Sequence, residues 1–90
     1  MEFEWDPEKA LRNLQKHGVS FEEACSAFGD ALGSTFPDLK HSHTEQRWLT
    51  FGVSRSNRLL LVAHVERQER IRIVSARLAT RKELRIYEEG

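Results

Sequence analysis

The chain has 90 residues with 14 basic and 14 acidic side chains, so its formal net charge is zero. That length supports one domain, residues 1–90, with a small core. An apolar fraction of 39% with only five Gly and two Pro excludes a disordered chain. The longest apolar run, residues 59–63, falls far short of the roughly 20 residues that cross a membrane. The acidic start differs from a signal peptide and the lone Cys25 has no internal partner, so we expect a cytoplasmic protein.

The two halves of the chain carry opposite charge. Residues 1–45 hold four basic and nine acidic side chains, a balance of −5, whereas residues 46–90 hold ten basic and five acidic ones, a balance of +5. Nine of those ten basic residues are Arg, whose planar guanidinium binds phosphate through two parallel hydrogen bonds. An Arg-rich half favours an anionic partner, but Arg paired with neighbouring Glu on the surface explains the composition equally well.

Capping signals define two helices after a short first strand at residues 3–5. Asp6-Pro7 is typical of a helix start and Gly18 of a helix end, with apolar residues at helical spacing between them. These apolar residues are Ala10, Leu11 and Leu14. A second helix begins with a capping box of Ser20 and Glu23 and ends near residues 29–30.

The second half of the chain has the alternating pattern of strands. Residues 31–36 predict a strand, residues 39–46 a mobile loop, and residues 47–54, 58–66 and 69–77 an antiparallel meander. A second capping box, Thr80 with Glu83, starts a last helix, with Leu84 and Tyr87 facing the sheet. The sequence therefore predicts an α+β fold, in which two N-terminal helices and a C-terminal helix pack on an antiparallel β-sheet.

Strand parity brings three candidate site residues together. If the apolar face of strand 58–66 meets the helices, then His64 and Glu66 lie on the open face beside Arg72 of the next strand. Such a group could perform acid–base chemistry on an anionic substrate, or it could be a solvated network that stabilises the hairpin. A shift of one residue in register would separate its members.

Metal and nucleophile motifs are weak. His41 and His43 are spaced to share one side of a strand, but no third ligand stands at metal-binding distance in the sequence, and we expect neither a metal nor a cofactor. Cys25 lies among apolar residues and is predicted to be a buried core residue. Lys16 and His17 place positive charge at the end of the first helix, which is favourable there on structural grounds alone.

The sequence resembles the BrnT family of toxins from bacterial type II toxin–antitoxin systems over nearly its whole length. The residues that carry the resemblance form two groups, an N-terminal one (Phe3-Glu4-Trp5-Asp6, Lys9-Ala10, Asn13, Lys16-His17-Gly18-Val19, Phe21-Glu22-Glu23-Ala24) and a C-terminal one (Arg70-Ile71-Arg72-Ile73-Val74-Ser75-Ala76-Arg77, Ala79-Thr80, Glu83, Tyr87-Glu88). The resemblance implies a RelE-like fold and metal-independent RNA cleavage that arrests translation, with RNA as substrate, whether free or on the ribosome. It also implies neutralisation by a BrnA-type ribbon-helix-helix antitoxin, through which the complex contacts operator DNA. A toxin dimer within that complex is a further expectation.

Metal-free RNA cleavage uses the neighbouring 2′-hydroxyl as nucleophile, so the protein must supply a base, an acid and cations around the phosphate. With this resemblance, Arg72 and Arg77 are candidates for the phosphate contacts, Glu66 or His64 for the base, and Tyr87 or His17 for the acid. The RNA backbone is expected to lie against Lys16, His17, Arg81 and Lys82. One departure is Gln46, which separates Glu45 from Arg47 where the family often has Glu-Arg. The alternatives are a non-catalytic domain that only docks a partner protein, and a structural adaptor.

Overall fold

A computed structural model describes residues 1–89, which form three helices and five strands in the predicted order. The elements are β1 (Glu2–Glu4), α1 (Pro7–His17), α2 (Phe21–Ala27), β2 (Ser34–Pro37), β3 (Trp48–Val53), β4 (Leu59–Arg67), β5 (Arg70–Leu78) and α3 (Arg81–Glu89). The predicted fold class, α+β, is confirmed.

The five strands form one sheet in the order β1-β5-β4-β3-β2. Strands β2 to β5 are antiparallel neighbours, as the meander predicts, but β1 pairs with β5 in parallel. The sheet is therefore mixed rather than wholly antiparallel. A parallel pair needs a long crossover connection, and α1 and α2 lie in the segment that makes it. A strand of three residues is too short for its sequence to indicate whether it pairs with its neighbour in parallel or antiparallel.

The main core lies between α2 and the sheet. Its buried members are Val19, Phe21, Ala24, Ala27, Leu60, Val62, Ile73 and Ala76. The end of α2 lies directly against β3 at Gly52, where an added Cβ would lie 2.2 Å from the carbonyl oxygen of Ala27. Only glycine permits this contact, so a larger residue at position 52 would move α2 away from β3.

Helix α1 is anchored by a polar residue rather than by its leucines. Leu11 and Leu14 are 58% and 46% exposed, whereas Asn13 is buried. The Asn13 amide donates to the carbonyl oxygens of Val19 (2.9 Å) and Ala76 (2.8 Å) and accepts from the Ala76 N–H (3.1 Å). The helical spacing of the apolar residues thus correctly predicted a helix. The hydrogen bonds of Asn13, however, determine which side of the helix is buried.

The predicted caps are present, with one difference. Asp6 accepts from the Glu8 N–H and Gly18 ends α1 with a left-handed backbone, φ 69°. Ser20 accepts from the Glu23 N–H at 3.0 Å, but the Glu23 carboxylate is buried and does not bind back to Ser20. It accepts from Ser54 (2.6 Å) and from the guanidinium of Arg58, whose hydrogen bond lowers the pKa of Glu23. This contact ties α2 to the β3–β4 turn.

Helix α3 is capped but has no buried residue. Thr80 and Glu83 exchange hydrogen bonds between side chain and backbone in both directions, which confirms the second capping box. Leu84 is 40% exposed, so its predicted packing on the sheet is slight. Within residues 1–89, no helix combines the length and apolar character that a membrane crossing requires.

Candidate functional site

A β-bulge in β5 decides which side chains share a face of the sheet. Ala63 pairs with Ser75, but the next residue, His64, pairs with Ile73, so Val74 is the extra residue of the bulge. Directly paired residues point to the same side of the sheet. Leu60 and Val62, both in the core, place α1 and α2 on the face of the even-numbered β4 residues.

His64 lies on this helix-covered face, so its predicted position on the open face is wrong. It is 4% exposed, and its Nε2 is 2.7 Å from the Thr50 hydroxyl. The Phe28 ring, just after α2, packs edge-on against the imidazole. Burial lowers the pKa of His64 to about 4. Strand β4 is apolar on both faces, so the alternation of its residues does not show which face the helices cover. The face predicted from the sequence was the wrong one.

The expected group of His64, Glu66 and Arg72 is therefore not formed. Glu66 is exposed and pairs with Ile71, on the same side as His64, whereas Arg72 pairs with Val65 on the opposite side. Both proposed bases thus lie across the sheet from the guanidinium groups of Arg72 and Arg77. We withdraw His64 and Glu66 from the candidate site.

The sheet face opposite α2, together with the neighbouring side of α1, carries three adjoining cavities lined by basic residues, which we call the basic face. One cavity, of about 480 Å³, is lined by His41, Arg47, Ser75 and Arg77 among others. A second adjoins it through His41 and Arg47, and a third adjoins both through Lys9 and Ser75. The basic lining residues are Lys9, Arg12, Lys16, Lys40, Arg47, Arg67, Arg72 and Arg77, against two carboxylates, Asp38 and Glu45. This excess of positive charge suits a polyanion.

Most arginines of the basic face pair with a carboxylate at its rim. Arg72 contacts Glu4 (3.0 Å), Arg67 contacts Glu45 (2.8 Å), and Arg77 forms a two-point ion pair with Glu83 (2.7 and 2.9 Å). The Arg77 guanidinium lowers the pKa of Glu83 to about 2. The salt-bridge interpretation of the Arg-rich half is thus correct for these residues.

Arg47 differs from its neighbours. Among residues 1–89, no carboxylate lies within 4.0 Å of its guanidinium. Its Nε is buried and makes no hydrogen bond with the described part of the chain. A buried donor without a partner is costly, and Arg47 lines both adjoining cavities.

The loop between β2 and β3 brings an acid and an imidazole to the basic face. Asp38 is 7% exposed, and its carboxylate oxygens lie 3.0 and 3.2 Å from Nδ1 of His41. The Asp38 N–H donates to the Arg47 carbonyl, and the Ser42 hydroxyl links both ends of the loop. The sequence predicted a mobile loop here, and this stays a prediction. The conformation of the loop depends on contacts between its side chains and backbone, for which the sequence shows only polar letters.

The other predicted site residues are spread over several surfaces. Tyr87 donates to Asp30 (2.5 Å), which raises the pKa of the phenol, and it lines a separate apolar cavity beside Phe51. Lys16 and His17 line the third basic cavity, next to Ser75. Arg81 borders a cavity under α3, and Lys82 is exposed. Of the residues predicted for catalysis, Arg72, Arg77 and His17 line cavities of the basic face, whereas His64, Glu66 and Tyr87 do not.

Within residues 1–89, no three His, Cys, Asp or Glu side chains are grouped as metal ligands. His41 bonds to Asp38 rather than acting with His43. Cys25 is half-buried beside the core, and burial raises the pKa of its thiol to about 11. It is therefore an inert thiol at neutral pH.

Fold and basic face together define a small α+β domain with a cationic sheet surface. The family model for the "Ribonuclease toxin, BrnT, of type II toxin-antitoxin system" matches residues 5–83, so the chain belongs to that family. A solved structure, the ribonuclease toxin BrnT of Brucella abortus, superposes with a TM-score of 0.64 at 24% identity. The alignment covers 90% of this chain and 99% of the Brucella chain, which shows the shared fold. A search of curated proteins gives no significant match.

Proposed function

We propose that this chain is an active endoribonuclease that cleaves RNA on the basic face without a metal ion and thereby inhibits translation. The observation that carries the proposal is that eight cationic side chains and two carboxylates line three adjoining cavities, an excess of cations that the rim carboxylates Glu4 and Glu83 reduce but do not cancel. Membership of a ribonuclease toxin family supports RNA as the polyanion.

Arg72 and Arg77 are proposed to hold the phosphate at the scissile bond, and Arg47 joins them from the end of the loop before β3. Guanidinium groups bind phosphate oxygens at two points and stabilise the charge that develops as the 2′-hydroxyl attacks. Lys16 and His17 extend the surface beyond Ser75, where the neighbouring backbone of the RNA is proposed to lie. Arg81 and Lys82 remain proposed contacts from α3, whereas Tyr87 is engaged by Asp30 and lies outside the basic face.

Expression of the chain alone in a bacterial host tests the activity. We expect growth arrest with decay of RNA, and cleavage of RNA by the purified protein in the presence of EDTA. A variant with Arg72→Ala and Arg77→Ala should lose at least about 100-fold of the cleavage rate. A matched control with Arg55→Ala and Arg85→Ala removes two exposed charges elsewhere and should retain it. A folded wild-type protein that binds a partner but cleaves neither free nor ribosome-bound RNA would establish the non-catalytic docking domain instead.

A BrnA-type ribbon-helix-helix antitoxin is the proposed partner in the cytoplasm, with operator DNA reached through it. An acidic segment of that protein would compete with RNA for the same guanidinium groups, because carboxylate and phosphate are both bound at two points. Stopped-flow association should then slow with salt and weaken in the Arg72→Ala, Arg77→Ala variant. A salt-insensitive rate with unchanged affinity would place the antitoxin on another surface. The mass of the same complex tests the expected toxin dimer.

A further inference from the structure

We propose that Asp38 and His41 form a proton-transfer pair on the basic face, with His41 as the group that deprotonates the 2′-hydroxyl of bound RNA. This inference rests on the proposed ribonuclease function. In the sequence, His41 is a candidate only for metal binding. Neither family membership nor the match to the Brucella fold assigns it a role.

The orientation of the imidazole follows from its partner. An ionised carboxylate only accepts hydrogen bonds, so the two contacts from Asp38 place the ring proton on Nδ1. Nε2 of the neutral ring is then a free acceptor, and it makes no hydrogen bond within residues 1–89. The His41 side chain is 57% exposed, whereas Asp38 is 8% exposed, so a buried carboxylate holds an accessible imidazole in one tautomer.

The surroundings of His41 supply the remaining requirements. The imidazole borders the 480 Å³ cavity together with Arg47 and Arg77, so a phosphate held by these guanidinium groups lies beside it. The charged groups that face His41 from its own loop and from the sheet are Asp38, Lys40, Arg47 and Arg77 in that cavity, and Lys9, Glu45, Arg67 and Arg72 in the adjoining one. Because cations predominate, they stabilise the additional negative charge that the phosphate carries in the transition state.

The step is a transesterification. Nε2 of His41 accepts the proton of the 2′-hydroxyl, O2′ forms a bond to phosphorus, and the bond from phosphorus to O5′ breaks. The leaving O5′ takes a proton from water, and His41 later returns its proton to water. The products are a 2′,3′-cyclic phosphate and a 5′-hydroxyl, and no other reactant is consumed.

Kinetics of RNA cleavage by the purified full chain test the pair. We expect His41→Ala to lower kcat by about 100-fold or more with little change in KM, since a positioned base contributes 10²–10⁴-fold. Added imidazole should restore part of the rate. Leu39→Ala is the matched control, because Leu39 is exposed, lies two residues away in the same loop, borders none of the three basic cavities, and should keep the wild-type rate.

Two further variants separate chemistry from folding. His41→Gln retains a donor for Asp38 but has no basic nitrogen to accept a proton, so its kcat should fall about as far as that of His41→Ala. Asp38→Asn should lower kcat less than His41→Ala. A folded His41→Ala or His41→Gln protein with a rate within about threefold of wild type, or one that imidazole does not rescue, would overturn the assignment. Absence of cleavage by wild type would instead refute the ribonuclease function itself.

Discussion

Because the imidazole of His64 is buried, the folded protein loses stability as the pH becomes mildly acidic. Burial lowers its pKa to about 4, so the folded protein takes up this proton at lower pH than the unfolded chain, where histidine has a pKa of about 6.5. The contribution to stability is complete above pH 6.5 and is lost as the pH falls towards 4. Since one pH unit is worth about 1.4 kcal/mol, the total is roughly 3 kcal/mol, and about 2 kcal/mol is lost between pH 7 and pH 4.5.

Urea unfolding at pH 7, 5.5 and 4.5 measures this loss, and His64→Gln is the comparison because an amide can still bond Thr50 but does not titrate. The variant should lack about 2 kcal/mol of the wild-type dependence on pH, whatever its stability at pH 7. The low pKa of Glu83 begins to cost stability as the pH falls to the ordinary glutamate value near 4.5, but this loss is common to both proteins and cancels in the comparison. If the free energy of unfolding changes with pH in the same way for both proteins, then His64 takes up its proton at the same pH in the folded and unfolded states, and the reasoning is wrong.

Three further changes test the architecture. Asn13→Ala should cost about 3 kcal/mol in urea unfolding, because it leaves buried backbone groups of Val19 and Ala76 without partners, while Leu11→Ala on the exposed side should cost under about 0.5 kcal/mol. Thr80→Ala should cost about 1 kcal/mol and lower the helix content seen by circular dichroism; unchanged stability would mean that α3 does not depend on its cap. Arg72→Ala should change stability by less than about 1 kcal/mol and abolish toxicity; an unstable variant whose folded fraction stays toxic would make Arg72 a structural residue.

Local signals in the sequence predicted the elements well. Asp6-Pro7, Ser20 and the pair Thr80 and Glu83 each satisfy backbone groups of their own helix, so a few neighbouring letters are enough to place a cap. The order of the three meander strands β3, β4 and β5 followed from tight connections. One of these is the turn at Gln68 and Glu69, where both residues have positive φ, which suits the twist of a hairpin.

The candidate site was harder to predict because it depends on which face of the sheet the helices cover. Leu61 and Val62 are both apolar and both buried, so alternation in β4 does not distinguish the faces. The extra residue Val74 then changes the side on which Ser75 and Arg77 lie. The Asp38–His41 pair depends on a loop closed by its own polar side chains, and no periodic pattern marks such a contact.

The parallel pairing of β1 with β5 has a consequence for synthesis of the chain. Glu2 pairs with Arg70, and the Asn13 side chain binds Ala76, so the first strand and the first helix find their partners only after more than sixty further residues. Contacts so distant in sequence form late, because a long loop must close before they are made. Arg72 and Arg77 belong to that same late strand. The nascent chain therefore completes its cationic surface only after β5 has been synthesised, when the N-terminal segment folds against this strand.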